Sequence, residues 1–327
     1  MQTKAIFFCF LLFVFLTTCK DEEDPLLQDI EIVENPYLEV TSPLQVLKSE
    51  LNNPAAPFRI GDKMLFAESG KGVISELRND QLVPVIEGFG QDNYAGYSIS
   101  VLGMAYEPRS RTLFTTAAQD VGHLFMFDVD EFPTSVSSGK KIELILTEPH
   151  NPFDVLIASG GSILVASGGT KSAYQGPLDV ITASPLQQIF EVSTGIAGMA
   201  ENPDDGFIYA AVTGSGQKDG SLIRWDPLAG SIKPETIAEG FENLTEVEVI
   251  NDHLLLLLEF GAFGQAGTGR LLVFDKNKPE LIFPLLIGLD APSGLFLSEE
   301  GEVLISTFGK EMKNSDGLLL TLNVGVK

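Results

Sequence analysis

Cysteine is nearly missing from this 327-residue chain: the two present, Cys9 and Cys19, both stand close to the N-terminus. A disulfide framework or a cysteine metal site is thereby excluded from the rest of the chain, and stability has to come from burial. Histidine is scarce as well. His123, His150 and His253 are too far apart for the H-x-x-x-H spacing of a histidine metal centre. His150 precedes Asp154 by one short step, where a general base is one reading and a loop histidine the simpler one. Basic side chains are few, 21 against 45 acidic ones, for a formal charge of −24. That balance repels phosphate backbones and anionic lipid surfaces, so nucleic acid is excluded as a partner. No long 3.6-residue apolar periodicity appears, so almost no helix is expected. There is no G-x-S-x-G elbow. Residues 168–175 fail as a phosphate loop because Thr170 separates Gly169 from Lys171, and residues 261–269 do not open a helix.

What the chain does have is a repeat, seen most cleanly at residues 290–322. Two short apolar runs flank the turn at Glu300-Gly301, and a third run follows. The second run recurs around Leu65, Leu113, Leu164, Ile208, Leu256 and Leu304, at intervals of 48, 51, 44, 48 and 48 residues. Each is preceded by a turn pair, such as Gly61-Asp62, Gly160-Gly161 or Asp205-Gly206. In three copies the third strand ends in an aromatic-Asp pair, Phe127-Asp128, Trp225-Asp226 and Phe274-Asp275, and the Asp is suited to bond the backbone two residues on. A fourth strand follows in the first five copies, and the sixth stops after its third.

Units of three or four strands at this period describe an all-β, six-bladed β-propeller of four-stranded antiparallel blades. The second runs are apolar on successive residues, as expected of strands buried on both faces. Residues 37–47 have strand composition and precede the first unit, so this N-terminal strand is expected to complete the last blade and close the ring. The 44% hydrophobic content is ample for the cores between blades.

Residues 1–18 read as a signal peptide: Lys4, then an apolar run too short to span a bilayer. Leu16-Thr17-Thr18-Cys19 resembles a bacterial lipobox and the acidic run after it a surface-export tag of Bacteroidetes lipoproteins, which makes Cys19 the expected lipidation site. Residues 19–36 are expected to be an acidic tether and residues 37–327 the propeller. The expected location is the outer membrane, held through the lipid anchor only and facing outward, as a monomer.

Two innermost strands carry acids at matched positions, Asp154 and Glu246, where Gly103, Gly198 and Gly294 stand in other copies. Two second strands end in Glu68 and Glu259. Facing one mouth, these four form an anionic ring for a divalent cation such as calcium. Otherwise each bonds nearby amides or lines a solvated channel. The glycine-rich stretches around Gly168, Gly169 and Thr170, and around Gly261, Gly264 and Gly267, read as surface loops able to build a binding face. Trp225 is expected to pack between blades.

The stretches 240–275 and 288–310, with Ala67-Glu68-Ser69-Gly70, resemble the ScyD/ScyE family of six-bladed propellers, relatives of NHL-type and gluconolactonase-type propellers. The resemblance covers residues 54–322. It implies no defined catalytic motif for the family itself. The gluconolactonase-type relatives hold one divalent cation with Glu, Asn and Asp and use it to polarise a lactone carbonyl. That resemblance would assign carboxylates to Glu68, Asp154 and Glu246, with Asn151 or Asn243 beside them. Ser293-Gly294 stands where those relatives have Asn-Gly, and Pro108-Arg109-Ser110 where a Pro-Asp-Gly turn is usual. The expectation is therefore a non-catalytic propeller that binds or scaffolds a small molecule, glycan or protein. The alternative is a metal-dependent lactonase or related hydrolase. One part of this reading has a direct test: Cys19→Ser should move the protein from the membrane fraction to the soluble fraction of cells, and unchanged membrane association would remove the lipid anchor.

Overall fold

Successive apolar residues in the second strands become the walls between blades. In a computed structural model, which describes residues 24–94, 97–118, 123–143, 151–181, 186–311 and 315–327, Lys63–Glu68, Ser162–Ser167 and Leu254–Glu259 are buried along almost their whole length. The expected signal peptide and Cys19 lie outside the described residues. Around these strands the chain forms six sheets whose main strands are antiparallel and run outward in sequence order from an innermost strand; Thr134–Ser135 adds to the outer edge of blade 1 in parallel, beside Ile86 and Glu87. The innermost strands are Pro54–Ile60, Val101–Glu107, Pro152–Ala158, Ile196–Glu201, Leu244–Val249 and Pro292–Leu297, for blades 1 to 6. The expected all-β six-bladed propeller is the observed fold, and its described helical content is four short 3-10 turns.

The aromatic-Asp pairs end strands by the expected bond. Asp128, Asp226 and Asp275 accept from the amides of Asp130, Leu228 and Asn277 at 2.8–2.9 Å. Trp225 is buried in the cluster shared by blades 3 and 4, with Phe190 edge-on at 4.9 Å between centroids. His253 sits in a turn with its Nδ1 2.6 Å from Asp252, and His150 lies outside the described residues.

The sixth blade is completed from the N-terminal side. Gln45–Leu51 pairs antiparallel with Gly317–Val326, Leu51 opposite Gly317 and Gln45 opposite Thr321. Leu38–Val40 pairs further along the same strand. Both ends of the anticipated segment, residues 37–47, differ: residues 41–44 carry Pro43, which has no N–H to give a ladder, so the closing strand begins after it, and it runs on to Leu51. The stretch expected to be free tether also joins the body. Glu31–Ile32 pairs with Ile287 and Leu286 as a fifth strand on the outer edge of blade 5, so residues 31–33 are part of the propeller's sheet system.

Leu51 is fully buried against Met64, Phe66, Leu304 and Leu319, which ties the closing strand to both the first and the last blade. Leu51→Ala should cost about 2–5 kcal/mol through lost burial and a residual cavity. A urea denaturation midpoint that stays at the wild-type value would show that closure does not carry stability.

Candidate functional site

Where each innermost strand begins, one backbone bond recurs six times. The carbonyls of Asn53, Ser100, Asn151, Gly195, Asn243 and Ala291 accept from the amides of Ser69, Ala118, Gly168, Thr213, Phe260 and Phe308, at 2.6–3.1 Å. Directly after this ring of bonds, every innermost strand slips register against its second strand, as between Pro152 and Asp154 or Leu244 and Glu246. Such an irregularity re-aims the next side chain. At the re-aimed position the blades alternate. Blades 2, 4 and 6 have Gly103, Gly198 and Gly294, while blades 3 and 5 have Asp154 and Glu246 and blade 1 has Ala56-Pro57.

The glycines are required by close approach. A Cβ on Gly103 would lie 2.6 Å from Asp154 Cα, one on Gly198 2.7 Å from Glu246 Cα, and one on Gly294 2.7 Å from the Ala56 nitrogen. Each even blade thus yields its volume to the odd blade after it. Asp154 reaches forward to the following blade: Oδ2 accepts from Met199 N of blade 4 at 2.8 Å, while Oδ1 accepts from Val155 N at 2.7 Å.

Two cavities meet at this level. The upper one, about 100 Å³, is walled by Phe153, Phe260, Phe263 and Phe308 with Ile99 and Leu102. Its polar groups are Asn243, Thr213, Thr245, Ser293 and Glu246. The lower one, about 570 Å³, is the channel itself and carries Asp154, Glu246 and Glu248. Glu246 opens on both, and no hydrogen-bond donor meets its carboxyl among the described residues. Asn243 is 2% exposed; its Nδ2 donates to Gly261 O at 2.7 Å, but its Oδ1 has no partner among the described residues.

The carboxyls raise one another's proton affinity. Burial, with repulsion from Asp154 and Glu248, lifts Glu246 well above the ordinary carboxyl value. Burial pushes Asp154 up to about 7 against the pull of its two amide bonds. Glu248, half-buried and facing Asp154, is pushed up to about 8 by lost solvation and by the Asp154 charge. Repulsion between Asp154 and Glu246 means that neither loses its proton independently of the other.

Of the four acids proposed from the repeat, Asp154 and Glu246 come together and the other two stay inside their blades. Glu68 pairs with Lys71 at 2.5 Å and Glu259 with Arg270, and Glu259 also accepts from Glu242 N at 2.7 Å. The expected four-acid ring is therefore not assembled. Arg270 stands directly across the ladder from Glu259, so a cross-strand ion pair claims that carboxylate. Glu248, Asn243 and the four phenylalanines complete the observed site. The loop glycines divide likewise. A Cβ on Gly168 would enter the Phe153 ring, placing that glycine at the mouth, whereas Thr170 accepts from Tyr174 OH at 2.9 Å and serves its own blade. Gly261, Gly264 and Gly267 take positive φ in the loop that presents Phe263.

A divalent cation would find two free oxygens here, Glu246 and Asn243 Oδ1. Among the described residues no three of His, Cys, Asp and Glu gather as a ligand set, so the ion would keep much of its water, as magnesium commonly does. Three crowded carboxyls without a basic neighbour are also short of positive charge, which a proton or a cation can supply. A tricarboxylate quinone such as PQQ does not fit, because no Lys, Arg or His lines either cavity among the described residues.

No family model and no curated protein matches the sequence. Solved structures match the fold. A gluconolactonase from Xanthomonas campestris aligns over 91% of this chain and 96% of its own at 14% identity, with a TM-score of 0.64. A luciferin-regenerating enzyme aligns over 88% and 97% at 11% identity, also at 0.64. The PQQ-bound aldose sugar dehydrogenase of Streptomyces coelicolor aligns over 88% and 99% at 13% identity, at 0.62. The chain is thus a six-bladed propeller resembling gluconolactonase-like and glucose-dehydrogenase-like propellers. These neighbours are enzymes, and that corrects the expectation of a non-catalytic binding or scaffolding module toward its enzymatic alternative.

The raised carboxyls give a pH signature. A carboxyl with a higher pKa folded than unfolded binds more protons in the folded state, so its contribution is fully present below about pH 4 and is lost as pH rises through the folded value. For Asp154 and Glu248 the loss runs from about pH 4 to pH 7–8. Glu248→Gln should flatten the fall in melting temperature between pH 5 and 8. Parallel curves for variant and wild type would mean that Glu248 is ionised at little cost.

Proposed function

We propose that this chain is a hydrolase of the lactonase type, working at the upper mouth of the propeller. The observation that carries the reading is Glu246, an unpaired carboxyl at the floor of an aromatic cavity, coupled to a second carboxyl behind it. Two neighbouring carboxyls whose proton affinities are both raised can supply a donor and an acceptor. Hydrolysis of a cyclic ester uses both: water delivers its oxygen to the acyl carbon, the acyl C–O bond breaks, and the ring oxygen leaves with a proton. The phenylalanine walls hold the ring and exclude bulk water, which strengthens the electrostatics at Glu246. A divalent cation, if held by Glu246 and Asn243, would polarise the acyl carbonyl.

The enzymatic neighbours support this reading, and the cavity's lining among the described residues, neutral apart from Glu246, suits an uncharged substrate. Membership of the ScyD/ScyE family and display as a lipid-anchored monomer on the outer membrane belong to the same proposal, resting on residues 1–24 and the repeat. Among the described residues no helix is long and apolar enough to cross a membrane.

The test is turnover of neutral lactones and aryl esters by purified protein, with chelator and then with magnesium, calcium or manganese. Glu246→Gln should lower kcat/KM by a factor on the order of 10²–10⁴. Loss of activity in chelator, restored by one ion, assigns the cation; activity unaffected by chelator assigns acid–base work by the two carboxyls. No turnover of any lactone or ester under either condition overturns the proposal.

A further inference from the structure

The walls of the upper mouth specify more than a reaction type. We propose that its ligand is a small, neutral, largely apolar single ring bearing one hydrogen-bond donor, an alkyl-substituted lactone and not a polyhydroxylated sugar lactone. This rests on the hydrolase reading for the chemistry, but the recognition stands on three independent features of the cavity.

Size comes first. A cavity of about 100 Å³ compares with the roughly 150 Å³ that holds benzene in an engineered core, so the pocket itself takes one ring. Polarity is the second. Phe260 and Phe308 meet edge-on at 6.2 Å, and Phe263 tilts against Phe260 at 5.1 Å, so much of the surface a ligand touches is aromatic. A sugar ring would leave several hydroxyls against these faces without partners, at a cost of about 1–3 kcal/mol for each. Thr213 Oγ1 is already engaged with Gly195 O, and Ser293 Oγ with Pro54 O, so neither hydroxyl donates freely to a ligand. The third feature is the orphaned Asn243 Oδ1. A buried amide oxygen with no partner calls for one donor, and a single ligand hydroxyl supplies it.

Charge narrows the class further. Among the described residues no cationic side chain lines the cavity, and the carboxyls of Asp154, Glu246 and Glu248 stand below it. The ring enters neutral, and the hydroxy acid formed by opening it carries a carboxylate that this site repels.

Pantolactone, a five-membered lactone with one hydroxyl and two ring methyls, is the probe that fits, and glucono-δ-lactone is the polyhydroxylated control. Binding is measured by ligand-detected NMR with the full protein and with Glu246→Gln, in which hydrolysis is suppressed. The expected result is binding of pantolactone at least tenfold tighter than gluconolactone, weakened about tenfold by Asn243→Ala. Phe263→Ser, at a side chain already 44% exposed and so tolerant of change, should weaken it as well without unfolding the protein. The ring-opened acid should compete at least tenfold more weakly than the lactone. Equal or tighter binding of gluconolactone, or of the ring-opened acid, overturns the inference. Binding with the expected preference but no turnover would keep this inference and sink the hydrolase reading, so the two fail separately.

Discussion

Everything at the centre of this molecule depends on how closely six strands approach one axis. Backbones can come within van der Waals distance only where one of each facing pair gives up its side chain, and Gly103, Gly198 and Gly294 do so. The space they release is taken by the neighbouring odd blade, which is why Asp154 and Glu246 point into a narrow channel and not into a blade core. The raised proton affinities follow from that crowding. Two carboxyls on separate sheets are brought together by backbone packing, and Glu248 joins them because it lies two residues beyond Glu246 on the same face of its strand.

The same crowding separates the site from the rest of an acidic protein. Most acids of this chain meet water or a cation, as Asp130 meets Arg111 and Glu302 meets Arg59. Those in the channel meet no cation among the described residues. A net charge of −24 supports solubility across the surface, yet at the axis the chain concentrates carboxyls whose proton affinities are raised.

Much of the architecture was legible because burial on both faces leaves a plain mark. Unbroken apolar runs at Leu65, Leu164 and Leu256 cannot be half-exposed strands, and counting them gave the blades and the missing outer strand of the sixth. The two-residue strand Glu31–Ile32 left no such mark, since so short a pairing has no periodicity, and it was read as tether. Glu68 and Glu259 were grouped with Asp154 and Glu246 because repeat position does not tell which way a side chain turns. Their partners Lys71 and Arg270 were readable from hairpin register, as was Glu248 from the alternation Glu246-Val247-Glu248. One local signal would have located the mouth: Asn at the first ring position followed three residues later by an acid, as in Asn151 to Asp154 and Asn243 to Glu246, with Asn53 to Ala56 as the acid-free copy.

That odd-even alternation makes the ring a trimer of blade pairs, although its backbone repeats six times. Remove or duplicate a single blade and the parity breaks: somewhere two glycines would face each other across a void, or two bulky residues would meet where the strands leave no room. Blades can therefore be gained or lost without a central defect only two at a time. The channel lining, and not the hydrogen-bonded sheets, counts the blades of this protein.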